Sequence, residues 1–214
     1  MALSEFDTAP IPRYQSSTLN QVDQIQTKRK EMKISMPEHS KAAYLADFLL
    51  YGLAIILLGG LLFTMSPSNE ALVLSGLVVA GVLSWTAVEY VVHRIILHGV
   101  APFQQWHEEH HRRPAALIRT PTILSASLIL TLIFLPALIF SNNLWRACAL
   151  TLGTLIGYFM YTVTHHLIHH AASENAWLKR RQYWHGLHHD RQEPGRYGVT
   201  SKFWDWVFRS MGQP

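Results

Sequence analysis

The stretch ACALTLGTLIGYFMYTVTHHLIHH, residues 147–170, leads from an uncharged apolar segment straight into four histidines. A membrane core of about 30 Å is crossed by roughly 20 apolar residues in a helix. Three other stretches are as apolar, and only Asp47 and Glu89 place a charge inside them. The sequence therefore predicts four transmembrane helices, at about residues 44–65, 71–92, 123–140 and 147–164. We expect an all-α integral membrane protein with one membrane domain, residues 44–214.

The polar stretch ahead of the first span, residues 1–43, carries three prolines and the basic run Lys28-Arg29-Lys30. We expect a cytoplasmic tail that ends in a short interfacial helix, whose basic residues contact anionic lipid and not nucleic acid. The first apolar run begins only after about forty polar residues, so no signal peptide is expected. Cys148 is the only cysteine, which excludes an intrachain disulfide and a thiolate metal site.

The 18 lysines and arginines are distributed unevenly among the connections between the spans. Six precede the first span, four lie between spans two and three, seven follow span four, and only Arg146 lies in the two short connections. Because cytoplasmic segments are enriched in basic residues, both termini and the middle connection are predicted to be cytoplasmic. The histidine-rich segments are predicted to lie on that same side.

Twelve of the 13 histidines cluster at or just beyond the ends of the predicted spans. Neutral imidazole is the commonest metal ligand in proteins, and so many imidazoles at one membrane face indicate at least two metal ions. The clusters read HRIILH at 93–98, HEEHH at 107–111, HHLIHH at 165–170 and HGLHH at 185–189. The sequence thus predicts a helical cap, formed by residues 93–119 and 165–210, that holds a dinuclear metal site.

Two of these clusters share the pattern His-x-x-His-His, at residues 107–111 and 185–189. The pattern places three imidazoles along one side of a helix within about one turn. Adjacent histidines in it point in different directions, so we expect each of the two to serve a different ion. Ten ligands shared between two ions is the natural count.

The run at 165–170 offers two pairs with i, i+4 spacing, His165 with His169 and His166 with His170. The two pairs lie on faces about 100° apart, so only one pair can point directly at a metal site. The other pair is expected to donate supporting hydrogen bonds or to face the lipid headgroups.

The pair His93 and His98 is separated by five residues, which on a regular helix puts the side chains about 140° apart. The two can still converge if His98 lies where the helix unwinds. Gly99 and Pro102 give such an unwinding a physical cause.

Other functions are also compatible with parts of this pattern. The string HEEHH at 107–111 satisfies the His-Glu-x-x-His motif of zinc hydrolases, although one such helix would leave nine clustered histidines without a role. A metal-binding or transporting membrane protein is a second alternative, but conduction sites need ionisable residues at mid-membrane, which the predicted spans lack. A dinuclear iron centre accounts for more of the sequence, because iron with open coordination positions activates dioxygen for attack on an unactivated C–H bond.

The motifs resemble those of the membrane fatty acid hydroxylase and sterol desaturase superfamily, most closely the fatty acid 2-hydroxylases. The resemblance covers about residues 85–210 and consists of four motifs in order along a four-span chain. They are EYVVHR at 89–94 leading to His98, HEEHHRRP at 107–114, GYFMY at 157–161 leading to His165 and His169, and HGLHH at 185–189 followed by RYGVTSKFWD at 196–205.

The resemblance implies an oxygen-dependent reaction at two irons, and these imidazole sites would also accept zinc in a purified sample. It implies ten metal ligands, namely His93, His98, His107, His110, His111, His165, His169, His185, His188 and His189. It also implies that electrons arrive one at a time from a partner. Residues 1–43 fit no haem domain and the chain has no Gly-x-Gly-x-x-Gly fingerprint, so we expect a separate electron-donor protein.

We therefore expect a membrane di-iron oxygenase that uses O2 to hydroxylate a lipid acyl chain beside its carboxyl group. Hydroxylation or desaturation of a sterol, a carotenoid or another isoprenoid lipid is the alternative within enzymes. The aromatic residues Trp204 and Phe208 are expected either to anchor the last helix at the membrane interface or to line the entrance of the acyl chain.

Overall fold

Four helical segments of span length make up the body of the molecule in a computed structural model, which describes residues 38–190 and 195–212. Two π-helical turns, Val92–Leu97 and Leu130–Phe134, interrupt the spans, and a 3-10 turn, Ser68–Glu70, opens the second. The α-helices are α1 (Lys41–Met65), α2 (Ala71–Val91), α3 (Phe103–Arg112), α4 (Thr122–Ile129), α5 (Leu135–Ser141), α6 (Leu144–His170), α7 (Ala176–His189) and α8 (Phe203–Val207). No β-strand occurs within the two described ranges, as the sequence predicts.

The predicted spans are confirmed as helices long and apolar enough to cross a membrane. Each falls inside one of four segments, Lys41–Met65, Ser68–Leu97, Thr122–Ser141 and Leu144–His170. Large apolar side chains of these segments point outward, with Leu57 70% and Phe63 92% exposed. Such a surface is unfavourable in water but is what helices present to lipid. The chain is a multi-pass membrane protein.

Helix α6 is central in the bundle and pairs most extensively with α2. Small residues allow the close approach, because a Cβ atom added to Gly81 would collide with Gly153 and one added to Gly153 would collide with the Val78 carbonyl. One turn further along α6, Gly157 lies against the Trp85 side chain. Small residues at helix crossings are typical of membrane proteins. This crossing sets the relative positions of the histidine-bearing ends of α2 and α6.

The third span contains a π-helical turn, Leu130–Phe134, directly ahead of Pro136. Proline has no N–H to donate, and its ring clashes with the carbonyl of the residue four positions earlier. A local π-helical adjustment relieves this conflict and lets a membrane helix continue past proline. The span is therefore continuous from α4 to α5 but deformed at its middle.

The other π-helical turn, Val92–Leu97, brings His93 and His98 to the same side of the second span. Its hydrogen bonds join residues five apart, so side chains five apart complete about one turn. The two ring centroids are 5.3 Å apart. The sequence predicts that this convergence results from unwinding at Gly99 and Pro102. In the structure it results instead from the wider π-helical turn, which lies before Gly99 and does not end the helix.

The cap consists of the histidine-bearing ends of the second span and of α6, together with α3, α7, α8 and the irregular residues 195–202 that precede α8. Helix α7 begins after Asn175, whose side-chain oxygen accepts hydrogen bonds from the N–H groups of Trp177 and Leu178. The described residues all belong to one compact unit. Residues 1–37, with the predicted interfacial helix and basic run, lie outside the described part of the chain.

Candidate metal centre

Nine histidines converge into two groups in the cap. Within each group every residue offers a ring nitrogen, and these nitrogens lie within 4.8 Å of one another. The five-histidine group consists of His93, His98, His107, His111 and His188, and the four-histidine group of His110, His169, His185 and His189. The groups are adjacent, because the ring centroids of His111 and His189 lie 4.2 Å apart.

The Nε2 atoms inside each group have separations that suit a shared ion. In the five-histidine group, Nε2 of His107 lies 2.9 Å from that of His93 and 3.0 Å from that of His111. In the four-histidine group, Nε2 of His185 lies 2.9 Å from that of His169. Two nitrogens that bind one ion at about 2.1 Å and at a right angle are about 3.0 Å apart. The separations are therefore those of neighbouring ligands in one coordination sphere.

Backbone carbonyls fix the tautomer of two rings in the five-histidine group. Nδ1 of His93 donates to the carbonyl of Tyr197 at 2.6 Å, and Nδ1 of His188 donates to the carbonyl of Gly195 at 2.7 Å. A carbonyl can only accept, so Nε2 of each neutral ring keeps a free lone pair. A single proton on His107 cannot bridge both of its Nε2 neighbours, whereas a cation would bind all of them. The donor set fits a metal ion.

Burial keeps the cap histidines neutral. It is the largest cause that lowers the pKa of His110 and His111 to about 2, that of His188 to about 3 and that of His189 to about 4. Repulsion from neighbouring histidines lowers each of these pKa values further. Metals bind the neutral ring, so these imidazoles are available as ligands at pH 7 without first losing a proton.

The structure places adjacent histidines of each His-x-x-His-His pattern in different groups. His110 and His111 of α3 are divided between the groups, and so are His188 and His189 of α7. Side chains of neighbouring residues on a helix point about 100° apart, which is the physical reason for the division. Each of these two short helices thus contributes to both groups.

The α6 histidines separate into an inner and an outer pair. The ring centroid of His165 lies 4.7 Å from that of His169. His165 itself belongs to neither group, whose ring nitrogens lie within 4.8 Å of one another. His166 and His170 stack on each other at 4.7 Å, and Nδ1 of His166 shares a 3.1 Å hydrogen bond with the Tyr44 hydroxyl. The outer pair is not brought to either group.

The carbonyls that orient His93 and His188 belong to residues 195–210, which we name the clasp. The carboxylate of Glu89, on α2, holds the clasp by accepting bonds from the N–H groups of Val199 at 2.6 Å and Thr200 at 2.9 Å. Glu89 is only 4% exposed, and a carboxylate so buried is stable only with several hydrogen-bond donors around it.

A second buried carboxylate, Asp205, stabilises the clasp from within. It accepts bonds from the N–H groups of Tyr197 at 2.9 Å and Gly198 at 2.8 Å, and from the Ser210 hydroxyl at 2.7 Å. The hydroxyls of Tyr90 and Ser210 share a 2.8 Å hydrogen bond, which ties the end of the clasp to α2. Sequence reasoning assigned these two carboxylates no part in the site. The available signal was a charge inside an apolar span and another inside the aromatic run FWDWVF at 203–208.

Three cavities lie against the histidines, and two of them adjoin each other. The apolar cavity, of about 190 Å³, lies between the second, third and fourth spans and reaches His93. The histidine cavity, of about 100 Å³, is lined in part by His107, His110 and His165. The cavities adjoin, because both are lined by Leu97, Thr120, Tyr158 and Tyr161.

Two aromatic residues of the clasp, Trp204 and Phe208, lie against α2. The indole N–H of Trp204 donates to the Thr86 hydroxyl at 3.0 Å, and the Phe208 ring stacks on the Tyr90 ring at 5.4 Å. Neither Trp204 nor Phe208 lines the apolar cavity or the histidine cavity. These contacts hold the clasp to the second span.

A family model described as fatty acid hydroxylase matches residues 78–210, which contain both histidine groups and the clasp. The chain belongs to the fatty acid hydroxylase family. The resemblance that the sequence motifs indicate is confirmed.

Curated relatives of this family member are named 2-hydroxylases. The dihydroceramide fatty acyl 2-hydroxylase FAH2 of Arabidopsis thaliana is 34% identical over 145 residues, which are 64% of this chain and 61% of that protein. The fatty acid 2-hydroxylase of Rattus norvegicus is 30% identical over 149 residues, which are 64% of this chain and 39% of that protein. The chain thus spans less than two thirds of the length of these relatives.

A solved structure described as full-length scs7p, with only the hydroxylase domain visible, has a TM-score of 0.64 to this chain. The likeness covers 78% of this chain and 66% of the other, at 22% identity. It shows that the two proteins share a fold.

Proposed function

We propose that this protein is an O2-dependent, di-iron membrane hydroxylase that hydroxylates a lipid acyl chain at the carbon next to the carboxyl group. The observation that carries the proposal is an apolar cavity whose wall includes a histidine of the five-histidine group. A metal transporter has no use for an apolar cavity at its ligands. The relatives are named fatty acyl and fatty acid 2-hydroxylases, which supports C2 as the carbon that is attacked.

Each histidine group would hold one ion, with His165 as a further ligand beside the four-histidine group. Neutral imidazoles suit iron and also accept zinc. Bound iron supplies the activation of dioxygen that an unactivated C–H bond requires. The balanced reaction converts a C–H bond, O2, two electrons and two protons into a C–OH group and water.

The protein's own side chains bind the acyl chain and exclude water from it. The lining of the apolar cavity is dominated by aliphatic and aromatic residues, so an acyl chain that leaves the bilayer for this cavity stays in apolar surroundings. Leu128 and Leu132 line this cavity and are 44% and 65% exposed on the lipid side of the bundle. An acyl chain can therefore enter from the bilayer without crossing water.

We propose that a separate protein delivers the electrons. A third cavity, of about 270 Å³, brings His98, His111 and His188 to a surface that also carries Gln104 and Glu108. This polar surface gives a donor close approach to the five-histidine group. Omitting the donor from a purified, metal-loaded system should stop turnover, and adding a chemical reductant should restore it.

Lipid mass spectrometry of cells with and without the protein tests the reaction. Acyl chains with one added oxygen atom at C2, derived from isotopically labelled O2, are expected. His188→Ala should abolish this product, and His39→Ala should retain it because His39 lies outside both groups. A loss of two hydrogens would show desaturation, oxygen on a sterol or carotenoid would favour the isoprenoid alternative, and metal uptake without modified lipid would favour a transporter.

Changes in the apolar cavity test the acyl path. Ile133 lines this cavity, and Ile133→Phe should reduce kcat/KM for the longest acyl chains most. The matched control, Phe208→Ala, changes an aromatic side chain outside the cavity and should leave the chain-length preference unaltered. A shift with Phe208→Ala alone would instead place the acyl path along the clasp.

We also propose that the cap and both termini face the cytoplasm, as the distribution of basic residues predicts. Glu108, on α3 ahead of the third span, and Asn142, directly after that span, are both exposed. In a Cys148→Ser background, an impermeant thiol reagent should label Glu108→Cys only from the cytoplasm and Asn142→Cys only from the other side. Labelling of Glu108→Cys from the outside would overturn this orientation.

A further inference from the structure

Two residues that line the histidine cavity, Trp106 and Arg119, carry unused hydrogen-bond donors. Nε1 of Trp106 and Nη1 of Arg119 are buried and have no hydrogen-bond partner among residues 38–190 and 195–212. Nearly all buried polar groups in proteins are hydrogen-bonded, so two unpaired donors beside one cavity mark the place of a bound acceptor. A cavity of this size holds several water-sized groups.

The position of Arg119 is fixed by its surroundings. Its Nη2 atom lies 2.6 Å from a carboxylate oxygen of Asp47, and the other Asp47 oxygen accepts the Thr122 hydroxyl at 2.5 Å. The guanidinium lies 5.0 Å from the ring centroid of Tyr44 and 4.8 Å from that of Phe48. The ion pair and the two rings leave Nη1 as a donor held in place before any ligand binds.

The adjoining cavities define the chemistry of the ligand. The apolar cavity fits a hydrocarbon chain, and the histidine cavity that continues from it offers N–H donors beside His107, His110 and His165. The matching molecule has a long apolar tail and an acceptor oxygen at its head. An acyl carbonyl meets this description, and its oxygen has two lone pairs for two donors.

Resting on the function proposed above, we propose that Trp106 and Arg119 bind the carbonyl oxygen of the acyl substrate and thereby determine which carbon reaches the histidines. Anchoring this oxygen fixes the chain at its head, so the neighbouring carbon C2 lies next to the anchor, whatever the length of the tail. A slip of the chain by one methylene would present C3 instead. A free carboxylate and the amide carbonyl of an N-acylated lipid share this acceptor chemistry.

The distribution of hydroxylated products tests this assignment. Trp106→Phe keeps an aromatic ring and removes only the N–H donor, while Arg119→Lys keeps a cation for Asp47 and removes Nη1. Both variants should form C3-hydroxylated product beside C2 product and raise KM about fivefold, the effect of one lost hydrogen bond. Metal content should stay at the wild-type value. Trp177→Phe is the matched control, because Trp177 is 51% exposed and lines none of the cavities beside the histidines.

Ligand binding without oxygen gives a second readout that needs no turnover. The metal-loaded protein should bind a long-chain acyl compound about 25-fold more tightly than the ether of equal length that lacks the carbonyl, because two hydrogen bonds are each worth about fivefold. Trp106→Phe should lower this ratio to about fivefold, the share of Arg119. The measurement is made with a free fatty acid and with an N-acyl amide. The recognised head group is that of the compound whose preference over its ether falls in the Trp106→Phe protein.

The outcomes separate this proposal from the proposed function. The carbonyl subsite alone would be overturned if the wild-type protein hydroxylates C2 and the two variants keep its selectivity and KM. Both variants, Trp106→Phe and Arg119→Lys, must be folded and metal-loaded in this comparison. Wild-type protein that prefers acyl compounds over ethers but hydroxylates no acyl chain would overturn the proposed function alone. Trp106→Phe changes no charge, so the carbonyl subsite can still be tested with this variant if Arg119→Lys fails to fold.

Discussion

The two histidine groups lie side by side in the cap but are held in different ways. In the five-histidine group, clasp carbonyls accept hydrogen bonds from Nδ1 of His93 and His188. In the four-histidine group, neither ring nitrogen of His110 has a hydrogen-bond partner within the described part of the chain. Backbone atoms thus orient two rings of the first group before an ion binds, whereas His110 of the second group is positioned by α3 and by its contacts with neighbouring rings.

Equal ligand chemistry does not imply equal metal affinity. A ring with a fixed tautomer is a better prepared and more basic ligand. The five-histidine group should therefore retain its ion at chelator concentrations that already remove the ion from the four-histidine group.

The largest effect should come from removing one central ligand from each group. His107→Ala and His185→Ala should each lower the metal content from about two ions to about one and abolish turnover, because one ion in each group is expected to require these rings. Elemental analysis of the iron-reconstituted proteins measures the content. Loss of both ions from either variant would show that the groups bind metal as one cooperative unit.

A smaller and selective effect is expected from Asp205→Asn. The change weakens the bonds that Asp205 accepts from Tyr197 and Gly198, and should lower the metal affinity of the five-histidine group about 10–100-fold. The four-histidine group should keep its affinity, as measured by titration against a competing chelator. Glu174→Gln, at an exposed carboxylate, is the control. Equal weakening of both groups would mean that the clasp supports the whole cap and not one site.

A packing change between α2 and α6 should affect both groups equally. Gly153→Ala forces a methyl group against Val78 and should lower the free energy of unfolding by about 1–3 kcal/mol. Gly60→Ala is the control, since a Cβ atom there meets nothing within 4 Å. Unfolding in detergent micelles and metal retention are the measurements. Selective loss of one ion would show that the crossing positions that group alone.

The smallest effect is expected on the outer face of α6. Tyr44→Phe removes the hydrogen bond to His166 and should cost about 1 kcal/mol of stability. The metal content of both groups should not change. A variant that loses an ion would bring the pair His166 and His170 into the metal centre.

The sequence predicts the spans and the grouping of the histidines for physical reasons that act locally. Lipid requires long uninterrupted apolar helices, so composition alone locates all four. The angle between neighbouring residues on a helix separates His110 from His111 before any tertiary structure is considered. Helical spacing also identifies two alternative faces at 165–170, and packing of α6 against its neighbours selects the face of His165 and His169.

The clasp could not be predicted in the same way. The groups that orient His93 and His188 are backbone carbonyls, which leave no residue-type signature in the sequence. The carboxylate of Glu89 acts on residues more than a hundred positions away, so no local spacing reveals it. The π-helical turn at Val92–Leu97 was equally hidden, because its apolar sequence is compatible with a regular helix. Tertiary contacts decide all three features.

The clasp is synthesised later than the histidines that it orients. Residues 195–210 leave the ribosome after every histidine that they orient. At typical translation rates, the synthesis of the chain from residue 189 to residue 210 takes roughly one to four seconds. During that interval all ligands of the four-histidine group have been synthesised, while the five-histidine group still lacks the carbonyls that set its tautomers. The ligands of one ion site are therefore complete in the growing chain before the backbone that orients its neighbour has been made.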